Sequence, residues 1–254
     1  MIIPAGLFFC TALLYASVGF GGGSTYNAIL VLFDANYKII PFVSLACNIV
    51  VVIGGVWYFS RHGGFSSRRI LPWILFSMPA SFIGGSLPIS EVAFIGILGI
   101  MLLLSGIKLL LPDRTFFDGH KAPDPRNSWF FAPVFGTSLG LMAGLTGIGG
   151  GIFLAPVLYF LHWGNARQIA GACSLFILMN SLAGITGQVV KLERYDIIYL
   201  ALPYAPLLPM VFIGGQIGSY LGAGPINQVF IRGVTAILIL YVAVRLLIRF
   251  GFSL

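Results

Sequence analysis

Apolar segments of about 20 residues recur along the whole chain, and their length is the strongest constraint on its fold. A helix of that length spans the hydrocarbon core of a bilayer. Only 8% of the residues are charged, against about 25% in soluble domains. We therefore predict an all-α polytopic membrane protein with about eight transmembrane helices, at residues 4–19, 39–60, 70–89, 92–111, 129–146, 168–190, 197–222 and 228–250.

The basic residues indicate an orientation in the lipid bilayer rather than a nucleic-acid partner. The formal net charge is +7, but the lysines and arginines are scattered at the ends of the apolar segments. Nucleic-acid binding needs a basic face, whereas scattered basic loops orient membrane proteins. The segment 61–69 (RHGGFSSRR) contains three arginines and no acid, so we place it in the cytoplasm. Arg245 and Arg249 predict a cytoplasmic C-terminus as well.

Three short motifs each occur twice, at an offset of 128 or 130 residues. FIGG occurs at 82–85 and 212–215, and the glycine clusters GFGGG and GIGGG occur at 19–23 and 147–151. Ser44-Leu45 likewise matches Ser174-Leu175. This order predicts two homologous membrane halves joined by a polar, proline-rich connection, with bounds 1–111, 112–128 and 129–254.

The relative direction of the two halves depends on the number of crossings in each. Four spanning helices per half give parallel halves, whereas a fifth crossing through the glycine cluster inverts the second half. Lys108 and Arg245 end comparable helices, and this favours four, because both residues then face the cytoplasm. Many transporters are built from such repeats, with the substrate site between them.

The glycine clusters predict a broken helix in each half. A glycine inside a helix costs about 1 kcal/mol relative to alanine, and a break is tolerated only inside protein or beside a wet cavity. The short apolar segments 24–33 and 152–162 would then begin with free N–H groups that suit an anion. The alternative is close helix packing, which explains Ala132, Gly136, Gly140 and Gly144, and also Gly214, Gly218 and Gly222. Those glycines are spaced by four, whereas the clusters are consecutive.

Neutral polar residues within the apolar segments complete the candidate site. For each one the competing role is an interhelical hydrogen bond. Lys38 and Arg167 precede comparable helices and are candidates for the two entrances, and His162 is a candidate proton carrier. The predicted substrate-binding residues are Gly21, Gly22, Gly23, Ser24, Tyr26, Asn27, Ser44, Asn48, Thr146, Gly149, Gly150, Gly151, Ser174, Asn180, Gln188 and Gln216.

Several functions are disfavoured by what the sequence lacks. No carboxylate lies deep in an apolar segment, and cation carriers and proton pumps usually have one. The three cysteines form no CxxC pair, so we expect no metal and no disulfide. No cofactor-binding motif is present. Gly136-Thr-Ser-Leu-Gly140 matches the hydrolase pattern around Ser138, but that pattern requires a strand before the serine. An anion channel or a membrane scaffold would also fit the glycine breaks and the apolar segments.

The sequence GLTGIGGGIFLAPVLYFL, followed by ARQIAGACSLFILMNSLAGITGQ, resembles the TauE/SafE family of membrane permeases, also called sulfite exporters. The second half matches the family pattern at Gly147, Gly149, Gly150, Gly151, Pro156, Gly171, Ser174 and Gly184. The first half matches at Gly19, Gly21, Gly22 and Gly23, but has Ala28 in place of the proline. The resemblance implies a bacterial inner-membrane carrier of small sulfur-containing anions such as sulfite, sulfoacetate or other organosulfonates. Because the chain has no nucleotide-binding motif, we expect a secondary carrier, and our hypothesis is alternating access around a central anion with protons as the coupling ion.

Overall fold

The structure is a computed structural model that describes residues 2–63, 67–110, 129–161, 163–164, 166–191, 199–221 and 228–253. In these ranges the chain forms ten α-helices. They are α1 (Ile2–Ala16), α2 (Gly23–Leu32), α3 (Ile40–Gly63), α4 (Ser67–Ser86), α5 (Glu91–Leu110), α6 (Thr137–Thr146), α7 (Gly151–Phe160), α8 (Ala166–Lys191), α9 (Leu207–Leu221) and α10 (Gln228–Ser253). The predicted connection 112–128 and His162 lie outside the described residues.

The predicted apolar segments correspond closely to these helices, and both short segments after the glycine clusters are separate helices. Two predicted spans are less regular than expected. The segment 129–146 contains a π-helical turn at Ala132–Gly136, and the segment 197–222 contains a 3-10 turn at Leu202–Tyr204. A proline occupies each turn, and it removes a backbone donor from the helix. By length and composition, three described stretches could cross a membrane: Ile40–Arg61, Trp129–Thr146 and Arg167–Lys191.

The first glycine cluster turns the chain back on itself. The rings of Phe8 on α1 and Tyr26 on α2 stack with their centroids 4.7 Å apart. The Thr25 hydroxyl donates to the Tyr15 hydroxyl at 2.8 Å. Residues late in α1 therefore face residues early in α2, so the two helices form an antiparallel hairpin, which we call hairpin 1 (residues 2–32).

The second glycine cluster makes a similar turn. Gly140 and Gly144 of α6 contact Ser77 and Ser81 of α4 in the same order, so α6 runs parallel to α4, away from Arg69. The chain returns through α7, because Arg69 donates a hydrogen bond to the carbonyl of Trp163, which follows that helix. The segment 129–161 is therefore a second antiparallel unit, hairpin 2.

The two copies of FIGG pack across the molecule in a reciprocal way. In α4, Gly84 contacts α6 and Gly85 contacts α8. In α9, Gly214 contacts α1 and Gly215 contacts α3. The absence of a Cβ allows this approach: a Cβ on Gly214 would lie 2.5 Å from the carbonyl oxygen of Phe9. The predicted glycine ridge of α6 packs on α4 in this manner.

The helix directions contradict the expectation based on charge. Gly96 of α5 contacts Phe250 of α10, and Gly106 contacts Leu240, so these comparable helices are antiparallel. Lys108 and Arg245 therefore lie towards opposite ends of the bundle. The described chain has five helices before residue 111 and five after residue 129, because each glycine cluster adds a reversal. Two of the ten helices, α2 and α7, have only ten residues and are too short to span a bilayer alone, so the expectation of eight spanning helices, four per half, stays a prediction.

The bundle has two ends, which we name by their residues. The Tyr37 end contains Ile3, residues 33–37 and the start of α5, where the Tyr37 and Phe94 rings lie 6.2 Å apart. The Arg69 end contains Arg69, Trp163 and the start of α4. Because Phe250 lies beside Gly96, the C-terminal helix finishes at the Tyr37 end. The last described helix thus finishes at the end opposite to Arg69, whereas the basic residues predicted that the C-terminus shares a side with 61–69.

Candidate functional site

The two glycine breaks meet inside the bundle, on the side chain of Asn48 of α3. A Cβ on Gly23 would lie 2.7 Å from Asn48 Nδ2, 2.7 Å from the Ile148 carbonyl oxygen and 2.8 Å from the Gly147 carbonyl oxygen. Gly149 also contacts Asn48. The N-termini of α2 and α7 thus lie close together. The prediction that the two broken helices share one location agrees with this geometry.

Left-handed backbone conformations make both breaks possible. Gly19 and Gly22 in the first break have φ values of 81° and 91°, and Gly147, Gly149 and Gly150 in the second have 80°, 83° and 75°. Residues other than glycine pay a steric cost in this region. The clusters are consecutive because several adjacent residues must reverse the chain.

Carbonyl groups at both breaks are capped by buried side-chain donors. Asn48 Nδ2 donates at 3.3 Å to both the Gly147 and Ile148 carbonyls. Asn27 Nδ2 donates to the Thr146 carbonyl at 2.7 Å, and Ser44 holds Asn27 by donating to its Oδ1. Ser174 donates to the Gly19 carbonyl at 2.9 Å. Three predicted site residues, Asn27, Asn48 and Ser174, therefore bind the broken backbone, and a fourth, Ser44, holds Asn27 in place.

Unlike these carbonyl groups, most of the backbone N–H groups of the breaks have no hydrogen-bond partner among the described residues. None of the hydrogen bonds of the described residues uses the backbone N–H groups of residues 21–24 or 148–152. All of these residues are buried. A buried donor without an acceptor costs about 1–3 kcal/mol. Capped carbonyls and unused donors at two converging helix N-termini together make a site suited to an anion.

Hairpin 1 adds hydroxyl groups beside its break. Thr25 donates to Tyr15, whose hydroxyl lies 3.5 Å from the Ser24 oxygen. The buried Tyr26 hydroxyl has no hydrogen-bond partner among the described residues. Tyr15 was missed in the sequence, and its signal would have been an aromatic hydroxyl one turn before the glycine cluster.

Four other predicted site residues do not face a break with their polar groups. The Thr146 hydroxyl and the Asn180 amide donate to carbonyls of their own helices. Gln188 donates to the Gly144 carbonyl at 2.9 Å, and Gln216 of α9 contacts Gly54. The side-chain oxygens of Asn180 and Gln188 are nevertheless buried without a partner in the part of the chain that the structure describes. Ser81, which donates to the Asn180 carbonyl, was not predicted.

The remaining candidates lie at the surface of the bundle. Lys38 is exposed at the Tyr37 end, and Arg167 is exposed at the start of α8, at the Arg69 end. Ser138 is exposed and donates to the Val134 carbonyl of its own helical stretch, so it has no strand-to-helix setting. Within the described ranges, no group of histidine, cysteine and carboxylate side chains could hold a metal ion.

Apolar helices, two buried glycine breaks and a polar core between them define a polytopic helical membrane protein of the transporter class. The sequence profile of the family "Sulfite exporter TauE/SafE" matches residues 4–246, and the chain belongs to this family. It is also 33% identical over 246 residues to the "Probable membrane transporter protein y4hK" of Sinorhizobium fredii, covering 94% of this chain and 95% of that protein. No solved structure matches the chain.

Proposed function

We propose that this protein is a secondary transporter of small sulfur-containing anions in a bacterial inner membrane. One observation carries the proposal: carbonyl groups of both breaks are capped by Asn27, Asn48 and Ser174, whereas the neighbouring N–H groups are unused by the described residues. A cation site requires the reverse, with free carbonyl oxygens. The anion is bound by N–H groups of Gly22, Gly23 and Ser24 and of Gly150, Gly151 and Ile152.

The chemistry of the site favours a small oxyanion that can leave again. Neutral backbone and hydroxyl donors replace its hydration shell, and two helix N-termini together contribute about one positive charge. The predicted site contains no lysine or arginine. The family name supports sulfite as the first candidate, with sulfoacetate and other organosulfonates next.

The proposed transport mechanism is based on the opposite directions of the two hairpins. Hairpin 1 begins and ends at the Tyr37 end, and hairpin 2 begins and ends at the Arg69 end. In our proposal the halves 1–111 and 129–254 are inverted repeats, and each hairpin moves to open the site towards its own end. Alternating access requires such a pair of gates around one site.

The arginines orient this proposal in the membrane. Arg61, Arg68 and Arg69 all lie at the Arg69 end. The positive-inside rule therefore places the Arg69 end in the cytoplasm. Both termini then face the periplasm, in contrast to the orientation predicted from the C-terminal arginines.

The test is transport and binding by the purified full chain. Thermal unfolding is followed with sulfite, thiosulfate, sulfate, sulfoacetate, taurine, acetate and phosphate, and uptake is followed in proteoliposomes. A ligand at a hundred times its dissociation constant stabilises the folded state by about 2.7 kcal/mol. We expect a saturable shift with a sulfur anion, and counterflow of that anion.

Four results would contradict parts of the proposal. A shift only with carboxylates or cations would refute sulfur anions as the cargo. Flux without saturation or counterflow would indicate an anion channel. No binding and no flux would indicate a scaffold. Gly150→Leu, which forces a bulky side chain into a left-handed position beside Phe176, should abolish transport, and normal transport by the folded variant would refute the site.

A further inference from the structure

Arg69 connects two parts of the chain that are far apart in sequence. Its Nη2 donates a hydrogen bond to the carbonyl of Trp163, and its guanidinium carbon lies 4.5 Å from the centroid of the Trp163 ring. Trp163 is only 2% exposed. One side chain of α4 thus provides both a charge-assisted hydrogen bond and a cation–π contact to the residue that follows α7.

The neighbouring arginine provides a natural control. Arg68 carries the same charge one position earlier and is exposed, and it forms no hydrogen bond or ring contact with the described residues. Arg61 stacks on Trp57, which belongs to its own helix α3. Of these three arginines at this end, Arg69 is the one that contacts Trp163, just after hairpin 2.

The position of this contact matters because α7 is short. Its ten residues span about 15 Å, and glycines with left-handed φ precede it. Its N-terminal end presents the unused N–H groups of Gly151 and Ile152. The start of α7 is held by the caps on the Gly147 and Ile148 carbonyls and its length packs on α8, while the hydrogen bond between Arg69 and Trp163 holds its far end to α4. A cation at the C-terminal side of a helix is also electrostatically favourable.

Hairpin 1 has no comparable attachment at the end of α2 within the described ranges. That helix finishes in a local cap, in which the Ala35 N–H donates to the Leu30 carbonyl at 2.9 Å and Asp34 has a φ of 54°. The nearby cation, Lys38, is exposed. The two hairpins therefore differ in how their short helices are held.

We infer that Arg69 is a positioning residue for transport: it anchors the C-terminal end of α7 to α4 and so aligns the anion-binding N–H groups at the other end. This inference rests on the proposed function for its role in transport. The anchoring itself is independent of which anion is carried.

The experiment compares Arg69→Gln, Arg69→Lys and Arg68→Gln in the full-length protein in lipid nanodiscs and proteoliposomes. Hydrogen exchange of the amides of residues 153–161 measures the anchoring. For Arg69→Gln we expect exchange to be faster by about tenfold or more, because hydrogen bonds from charged donors are the stronger kind. We also expect a KM for sulfite raised by about tenfold, with a smaller change in maximal rate, since the contact aligns the binding groups. Arg69→Lys, which keeps the charge, should recover part of both effects, and Arg68→Gln should match the wild type.

The outcomes distinguish the anchoring by Arg69, its role in transport and the proposed cargo. Equal exchange in Arg69→Gln and Arg68→Gln would overturn the anchoring. Faster exchange with an unchanged KM would overturn its role in transport. A wild type that carries no sulfite, with exchange still faster only in Arg69→Gln, would refute the proposed cargo and leave the anchor standing. If Arg69→Gln does not fold, Arg69→Lys decides, and wild-type exchange and KM in that variant would overturn the need for the planar guanidinium contact.

Discussion

The two glycine breaks have nearly the same sequence and different surroundings. In the first, Gly23 contacts the backbone of the second break and Asn48, and hydroxyl groups of Tyr15, Ser24 and Tyr26 lie close by. In the second, Gly151 contacts the flexible side chain of Ile177. The positions that correspond to Ser24, Thr25 and Tyr26 are Ile152, Phe153 and Leu154. A shared motif therefore forms a shared backbone turn, while the chemistry beside it differs.

The two breaks therefore contribute different chemical groups to the proposed site. Both breaks supply backbone donors, but hairpin 1 adds side-chain hydroxyl groups where hairpin 2 has apolar side chains. Asn48 and Asn27, which cap carbonyls of hairpin 2, belong to the first half of the chain. Ser174, which caps Gly19, belongs to the second. Each break therefore depends on the other half, and each comparison below tests that dependence.

The largest effect is expected from the pair Gly23→Ala and Gly151→Ala. A Cβ at Gly23 meets two carbonyl oxygens and an amide that cannot move independently, so we expect a loss of about 1–3 kcal/mol in unfolding free energy and no detectable anion binding. A Cβ at Gly151 displaces only the end of the Ile177 side chain, and the loss should be smaller. Thermal unfolding and sulfite titration measure both effects.

Gly6→Ala is the matched control for that pair, because nothing in the described structure lies within 4 Å of its Cβ position. It should leave both stability and binding at wild-type values or slightly raise the stability. Equal losses of unfolding free energy for Gly23→Ala and Gly151→Ala would show that the two breaks are packed alike, which would contradict the different surroundings of the two glycines.

An intermediate effect is expected when the carbonyl caps are removed. Asn48→Leu leaves the Gly147 and Ile148 carbonyls without their side-chain donor, and should cost at least about 2 kcal/mol. It should also weaken anion binding, because two carbonyl oxygens that have lost their donor would repel an anion bound beside them. Ser174→Ala uncaps only the Gly19 carbonyl, so its cost should be about 1 kcal/mol. Chemical unfolding and uptake assays test the ranking, and a larger loss for Ser174→Ala would contradict it.

The smallest effect is expected for hydroxyl groups. The Tyr26 hydroxyl has no partner among the described residues, so Tyr26→Phe should not lower stability but should weaken anion binding by about 2–10-fold, the value of one hydrogen bond. Tyr15→Phe removes the acceptor of Thr25 and should lower stability by about 1 kcal/mol. Unchanged affinity in Tyr26→Phe would show that hairpin 1 contributes only backbone donors.

The sequence alone predicted the position of nearly every helix and of both breaks. Apolar segments have no alternative to helix in lipid, since their backbone groups must be satisfied internally, and consecutive glycines disfavour a continuous helix. Asn27, Ser44, Asn48 and Ser174 were predicted to bind substrate, and the structure places them near the breaks. That Asn27, Asn48 and Ser174 cap backbone carbonyls was not recognised, because a polar residue in an apolar segment has the same pattern whether it binds a ligand or a neighbouring backbone.

Helix direction is the feature that only the tertiary structure decided. The periodicity of α2 or α7 is identical whether the helix continues onward or turns back, so the sequence could not fix at which end of the bundle each helix finishes. Left-handed glycines reverse the chain, and long-range contacts such as Arg69 with Trp163 complete the return. The sequence by itself determined a helical membrane protein with two interrupted segments, since composition and glycine spacing are local properties. The convergence of both interruptions on Asn48 depends on contacts across about 100 residues, and only packing could bring them together.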